Sequence, residues 1–451
     1  MQKLLAWIDD RFPLTKVWEE HLSKYYAPKN FNFWYYFGSL AMLVLVMQIL
    51  TGLFLAMHYK PDTELAFGSV EYIMRDVDWG WLLRYLHSTG ASFFFIVVYF
   101  HMFRGLLYGS YQKPRELIWI IGVVIFIALM ATAFMGYLLP WGNMSYWGAQ
   151  VIISLFDAIP WIGQSLSEWI RGDFVVSDAT LNRFFALHFF VPTLILPALV
   201  FVHIVALHKV GSNNPDGVEI KKKKDAEGRP LDGIPFHPYY TVKDIVGVAV
   251  FLIIFSAVVF FGPELGGWFL EHDNFVPANI LHTPPEIKPL WYFTPFYSIL
   301  RATTSDMVTW VLTPYFAVLG LLALFSVRQF LTKAIVLIAT VAILIGFFTL
   351  EAKLWGVVLM GMSLMLFFFL PWLDRSPVKS IRYRGWMYKL ALVIFVVSFI
   401  ALGYVGTKPA SGLYKFIAQV GTILYFAFFL FMPWYTTYDK TKPVPERVTW
   451  K

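Results

Sequence analysis

The stretch LLRYLHSTGASFFFIVVYFHMFRGL, residues 82–106, decides the fold. It is long and apolar enough to cross a bilayer, for which about 20 residues suffice. Yet it carries His87, His101, Arg84 and Arg104, and ionisable groups inside a span are costly and mark function. A second stretch, FFALHFFVPTLILPALVFVHIVA at 184–206, does the same with His188 and His203. The two pairs are 14 and 15 residues apart. At about 1.5 Å per residue, each pair spans roughly 21–23 Å along its helix, one member near each membrane face. Fourteen steps of about 100° return to within roughly 40° of the starting direction, whereas fifteen overshoot by about 60°. Pro192 and Pro197 lie between His188 and His203, and a proline kink is expected to absorb the extra residue.

Two helices of this kind, facing each other, offer two bis-histidine sites stacked across the bilayer, the layout needed to pass electrons between two haems. Glycines repeat the period: Gly38 and Gly52 are 14 apart, as are Gly122 and Gly136. One such pair alone would read equally well as helix–helix packing; two pairs at the histidine period favour close approach of a flat ring. Arg84 precedes His87 by three residues and Arg104 follows His101 by three, near the faces where haem propionates need cations. The plainer reading is a snorkelling topology anchor.

Composition agrees. Of 451 residues, 58% are hydrophobic and 14% charged, with a mean hydropathy of +0.61; soluble domains carry about 25% charged residues. Apolar runs mark ten spans: Phe33–Met57, Leu82–Leu106, Leu117–Leu139, Phe184–Ala206, Ile245–Phe261, Met307–Val327, Ala334–Leu350, Leu354–Leu373, Leu390–Val405 and Phe416–Trp434. The expected fold is an all-α polytopic membrane bundle whose first four helices form a diheme unit. Its parts are a charged, aromatic-dotted surface segment 1–32, the histidine-bearing region 33–210 with outer loop 140–183, and 211–305 with a basic inner loop and a second outer loop. A hairpin, 306–353, and three further spans with a tail, 354–451, complete the chain.

Cysteine is absent, which excludes disulfides, thiolate-held clusters and covalent c-type haem in this chain. Ten spans put both termini on one side, and that side carries 26 of the 36 Lys and Arg. The positive-inside rule then places both termini in the cytoplasm. The +7 net charge reports orientation, about +12 inside and −5 outside, not a nucleic-acid partner. The run Lys221–Lys224 reads as a solvated loop against anionic lipid headgroups. The long outer loops, rich in Pro, Gly and aromatics, read as a packed cap.

Several motifs are similar to those of the cytochrome b subunit of bacterial-type quinol–cytochrome c oxidoreductase (cytochrome bc) complexes. They are WGNMSYWGAQVI at 141–152, NRFFALHFF at 182–190, GSNNP at 211–215, TPPEIKPLWYFTPFYSILR at 283–301 and LPWLDRS at 370–376. The resemblance covers roughly residues 30–305 and 354–435. It implies a multi-pass subunit of respiratory complex III in a bacterial cytoplasmic membrane. Two non-covalent b haems would be held by His87 with His188 (outer, low potential) and His101 with His203 (inner, high potential). It further implies a Rieske iron–sulfur protein and a c-type cytochrome subunit as partners, a homodimeric complex, and two ubiquinol/ubiquinone sites. The outer site would take in Gly142, Met144, Gly148, Trp291, Tyr292 and Tyr297; the inner would use His208, Ser212, Lys243 and Asp244.

Two departures stand out. Relatives commonly carry Pro-Glu-Trp-Tyr, with the Glu taking a quinol proton; here the run is Pro289-Leu290-Trp291-Tyr292. Leucine accepts no proton, so Glu286 or a water chain is expected to substitute. Tyr36 stands where relatives often have Asn. The hairpin 306–353 reads as an addition with a lipid or subunit-packing role. Two other classes fit parts of the pattern: a diheme anchor of a dehydrogenase would share the histidine helices without the outer-loop motifs. A transporter would explain ten spans without the four registered histidines.

Overall fold

The computed structural model describes residues 2–450, and all ten expected spans are helical. They run Phe33–Ala56, Gly80–Tyr108, Glu116–Leu138, Asp178–Val210, Tyr239–Phe261, Ser305–Ser326, Phe330–Thr349, Ala352–Leu373, Trp386–Val405 and Gly412–Leu430. Most ends lie within a few residues of the hydropathy reading. The fourth and fifth spans start about six residues earlier than their apolar runs, because polar turns extend them. At the fourth, the Ser177 N–H donates to Thr180 Oγ1 (3.1 Å) and Asp178 sits in the first turn, where the helix dipole favours an acid.

The fourth span also shows where its extra residue goes. Val191–Ile195 forms a π-turn between α-helical segments Asp178–Phe190 and Leu196–Val210. A π-turn closes i→i+5 and holds about one residue more than an α-turn. The expected proline kink is therefore a π-turn, with Pro192 inside it and Pro197 just beyond. Proline donates no backbone hydrogen bond, which lowers the cost of leaving the regular ladder there.

The second span packs along the first, and the third along the fourth. One apolar core joins spans one to three with the fifth and with the segment around Leu290, Tyr292 and Phe296. A second joins residues of the second and third spans to the last three, with Met307, Val308 and Leu312 of the sixth span and Phe347 of the seventh. The sixth and seventh spans pack on each other and leave Phe325 and Phe330 84% and 86% exposed, faces suited to lipid.

The two long outer loops interlock. Asn143 N–H donates to Val276 O (3.0 Å) and Ala278 N–H to Trp141 O (2.9 Å). Trp141 is held at φ 53°, in the left-handed region, a strain of about 1–3 kcal/mol for a non-glycine residue that the clasp sustains.

The inner face is tied by strands and charges. Strand β1 (Tyr26–Pro28) pairs antiparallel with β2 (Gly233–Pro235). The expected surface segment 1–32 therefore divides: the helix Gln2–Asp9 exposes Leu4 and Trp7, whereas Tyr25 and Ala27 are buried. Asp216, fully buried, accepts from Asn30 Nδ2 (3.0 Å), Arg382 Nη1 (2.9 Å), Tyr383 OH (2.9 Å) and Thr449 N (2.8 Å). Both ends of the described chain thus meet on one face. Arg115 reaches from the loop between spans two and three to Gly211 O (2.9 Å) and both oxygens of Glu219 (2.7 and 2.9 Å); Lys379 also binds Glu219. Burial pushes the Glu219 carboxyl up, but the Arg115 hydrogen bonds and charge, then Lys379, outweigh it and hold it at about 2. The basic run is partly engaged at home: Lys221 Nζ donates to His208 O (3.1 Å), and Lys223 pairs with Glu446 (2.9 Å).

Candidate functional site

The four histidines meet in two pairs. The rings of His87 and His188 lie 6.1 Å apart between centroids, those of His101 and His203 6.4 Å apart. Imidazole–metal bonds are about 2.0–2.1 Å, and a ring nitrogen lies about 1.1 Å from its centroid. Two imidazoles flanking one metal should thus have centroids roughly 6.3 Å apart. Both gaps have that width. Among the described residues no cluster of three or more His, Cys, Asp or Glu forms a metal site, so any metal here would need further ligands from its own macrocycle.

The outer pair also has its tautomers set. Thr51 Oγ1 donates its single proton to Met47 O (2.7 Å) and so accepts from His87 Nδ1–H (2.9 Å). His188 Nδ1–H donates to Thr132 O (2.8 Å). With Nδ1 protonated on both rings, each Nε2 keeps its lone pair for a metal. At the inner pair, His101 Nδ1 lies 3.5 Å from Arg104 Nη2. His203 Nδ1 is buried beside the Ile118 backbone without reaching hydrogen-bond geometry.

Each of the four glycines backs one histidine. A Cβ added to Gly52 would lie 3.0 Å from His87 Cε1, and one on Gly136 2.3 Å from His188 Cε1. The corresponding distances are 3.3 Å from Gly38 to His101 and 3.3 Å from Gly122 to His203. The flat ring these glycines admit in the structure is the imidazole itself. Arg104 Nε is buried without a partner, and Arg84 lines a cavity of about 460 Å³ that also contains His87, His188 and Gly136. Paired imidazoles with free Nε2 atoms, close glycine backing, an orphaned guanidinium nitrogen and a mostly apolar chamber all fit a bis-histidine haem.

The same cavity continues to the outer loops, where Tyr137, Asn274, Phe275, Leu290 and Tyr292 line it. Of the residues named for the outer site, Trp291 Nε1 donates to Ser92 Oγ (3.1 Å), Tyr292 O accepts from Tyr99 OH (2.6 Å), and Tyr297 OH donates to Ile287 O (3.1 Å). Tyr292 alone of these reaches the cavity wall. Gly142 lies against Asn274, Met144 is buried in the helix Asn143–Ser154, and Gly148 faces Tyr137. Glu286 is exposed and does not line the cavity.

At the inner face, Tyr25 gathers two of the expected residues. Its hydroxyl is 3.1 Å from Ser212 Oγ, and its ring is 4.4 Å from that of His208. His208 Nδ1 also meets His21 Nδ1 at 2.6 Å. Lys243 Nζ turns instead over the Tyr239 ring (4.4 Å), and Asp244 lies beside the Ser39 side chain of the first span, whose hydroxyl donates to Tyr36 O (3.0 Å). Tyr25 and His21 escape a sequence reading because β-pairing, not hydropathy, brings the N-terminal segment to this site.

Ten apolar helices enclosing two metal-width histidine pairs, with interlocked loops over one end, define an integral-membrane protein built around paired-imidazole cofactor sites. Comparison with known proteins narrows this. Residues 22–211 match the family model "Cytochrome b/b6/petB" and residues 277–426 "Cytochrome b(C-terminal)/b6/petD". The chain is 59% identical over 449 residues to a cytochrome b of Allochromatium vinosum, covering 99% of this chain and 98% of that one. It is 46% identical over 445 residues to one of Rickettsia prowazekii, covering 98% and 96%. A solved chain of a hyperthermophilic respiratory Complex III superposes with a TM-score of 0.78 at 35% identity, covering 95% of this chain and 98% of that one. The chain belongs to the cytochrome b family of cytochrome bc complexes, whose members bind haem b and form the core of a multi-subunit redox enzyme.

Proposed function

We propose that the protein is the diheme cytochrome b of a respiratory quinol–cytochrome c oxidoreductase, working by electron bifurcation. Ubiquinol is oxidised at the outer cavity. One electron leaves to a Rieske iron–sulfur protein and onward to a c-type cytochrome subunit; the other crosses to reduce ubiquinone at the inner face. Protons are released outside and taken up inside, which builds the gradient. The observation that carries this reading is the pair of imidazole gaps, 6.1 and 6.4 Å, on helices whose histidines are spaced for the two membrane faces.

Bound b haems would supply the one-electron steps between the faces. His87 with His188 and His101 with His203 would be their axial ligands, and Arg84 and Arg104 would pair with their propionates. Thr51 and the Thr132 carbonyl hold the outer imidazoles in the ligating tautomer. The interlocked outer loops keep water from the quinol, Tyr292 forming part of the wall. Inside, His208, Ser212 and Asp244 present donors and acceptors for quinone carbonyls and for proton delivery, with Lys243 near them. A chain without cysteine needs separate subunits for the cluster and the c-type haem. A relative of Bradyrhizobium diazoefficiens is named "Cytochrome b/c1", and this chain matches 56% of its length at 42% identity. The complex is read as a homodimer in a bacterial cytoplasmic membrane, with both termini in the cytoplasm.

A reduced-minus-oxidised spectrum of the purified complex should show two b haems, and quinol–cytochrome c reductase activity should be blocked by antimycin and by stigmatellin. Absence of haem would return the transporter reading. Two haems without inhibitor-sensitive activity would favour the dehydrogenase anchor.

A further inference from the structure

A carboxylate that no sequence motif marked lies behind the outer cavity. Glu271 is 5% exposed, and among the described residues it makes no ion pair within 4 Å. Its Oε2 accepts from Tyr137 OH (3.1 Å) and from Asn274 Nδ2 (3.2 Å). The amide orientation follows from its neighbours: Ser145 N–H donates to Asn274 Oδ1 (2.7 Å), so Nδ2 must face Tyr137 and Glu271. Asn274 Nδ2 also donates to the Tyr137 oxygen (3.0 Å). The Tyr137 hydroxyl therefore points its proton at Glu271 and keeps its second lone pair available. Tyr137 and Asn274 both line the cavity, as does the apolar Leu290.

The competing carboxylates are placed differently. Glu71 lines the cavity but is ion-paired with Arg75 (2.6 Å). Glu286 is exposed. Glu271 alone of the three is buried, free of a bonded cation, and joined to the cavity by a hydroxyl oriented to pass a proton.

We infer that Glu271 is the acceptor of a proton released when quinol is oxidised in the outer cavity, reached through the Tyr137 hydroxyl. The inference rests on outer-face quinol oxidation. The quinol O–H bond breaks as its proton joins the Tyr137 oxygen, while the proton already on Tyr137 moves to a Glu271 carboxylate oxygen. Tyr137 ends neutral and Glu271 ends as the acid. The electrons leave separately, to the outer haem and to the iron–sulfur partner. Burial raises the Glu271 carboxyl to about 7 against the opposing pull of its own hydrogen bonds and of Lys288, a value suited to accepting and releasing a proton near neutrality. The titratable groups facing it are Tyr137, Tyr292 and Lys288. Tyr292 stays protonated there, since burial and then the Glu271 charge push it well up.

The test measures quinol–cytochrome c reductase activity of the intact complex from pH 5.5 to 9. Wild-type turnover should rise through an ascending limb near pH 7, as the carboxylate forms. Glu271→Gln should cost about 100-fold, the usual scale of a lost acid–base group, and should flatten that limb. Glu271→Asp should keep the limb, and Tyr137→Phe should lose turnover with Glu271 intact. The double substitution Glu271→Gln with Leu290→Glu returns a carboxylate to the cavity wall, and recovery of turnover shows that the Gln variant is folded. A Glu271→Gln complex with two b haems, wild-type turnover and an unchanged pH profile overturns the inference. So does flattening by Glu286→Gln in its place. An inactive wild-type complex would instead sink the quinol-oxidase reading itself, so the two failures are distinguishable.

Discussion

The outer and inner histidine pairs have nearly the same gap but are held by different means. At the outer pair, each Nδ1 meets an oxygen that accepts its proton, from Thr51 and from the Thr132 backbone. At the inner pair, one Nδ1 lies at the limit of contact with a guanidinium that can only donate, and the other lies beside the Ile118 backbone outside hydrogen-bond geometry. The glycine backing follows the same division: 3.0 and 2.3 Å outside, 3.3 Å at both positions inside. The outer imidazoles are fixed in rotation and in tautomer by this chain. The inner ones are placed by helix packing, and their proton positions are left to whatever binds between them. Similar ligand gaps can thus be built with unequal preorganisation.

That contrast can be broken most directly at the tightest contact. Gly136→Ala would drive a methyl into His188, and overpacking of a core costs about 1–3 kcal/mol even where side chains can adjust. The variant should lose one b haem, so that a pyridine haemochrome count falls from two to one per chain. Gly38→Ala, with 3.3 Å to His101, should keep both. Equal haem content in the two variants would remove the distinction. A smaller effect is expected from Thr51→Val, which deletes the acceptor of the His87 proton. Loss of such a supporting hydrogen bond typically costs about 10–100-fold in metal affinity or activity. A redox titration should show the outer midpoint moving upward, because the imidazole becomes a weaker donor, with the inner midpoint unmoved.

The smallest effect sharpens the contrast at the level of the faces. The two outer loops are clasped to each other by backbone hydrogen bonds, whereas the inner loops are tied together by ion pairs. Glu219→Gln should leave turnover at neutral pH within about twofold and lower stability by about 1.5–3 kcal/mol, the scale of a hydrogen bond to a charged group. The folded carboxyl is depressed to about 2 from its ordinary 4.5. Its contribution is therefore complete above pH 4.5 and fades as pH falls toward 2. Thermal melts of wild type and variant in detergent should converge at acid pH; a constant difference would show that the charge of Glu219 is not what matters.

Much of this was legible in the sequence because membranes make periodicity expensive to violate. The ten spans were visible as apolar runs, and the histidine pairing and the glycine repeat as spacings of 14 or 15. The π-turn was half legible: Pro192 and Pro197 marked the place, but a kink and a π-turn share that signal and only backbone hydrogen bonding separates them. Thr51, beside Gly52, could have been found by asking what sits one residue from a ligand-backing glycine. Glu271 could not. Its burial depends on two loops far apart in sequence closing on each other, and on Asn274 facing Ser145 with one end of its amide and Tyr137 with the other. Glu286 is near Leu290 in sequence, but the folded loop leaves it exposed and off the cavity wall.

One feature of the inner face bears on how the chain comes to be made. Asp216 binds Asn30, Arg382, Tyr383 and Thr449. A ribosome delivers these in order, so the carboxylate and Asn30 emerge long before residues 382 and 383, and Thr449 comes last. Until then a buried acid on the inner face is only partly satisfied. The knot can be finished only once Thr449 has been made, so a buried acid waits for partners far downstream of it in the chain.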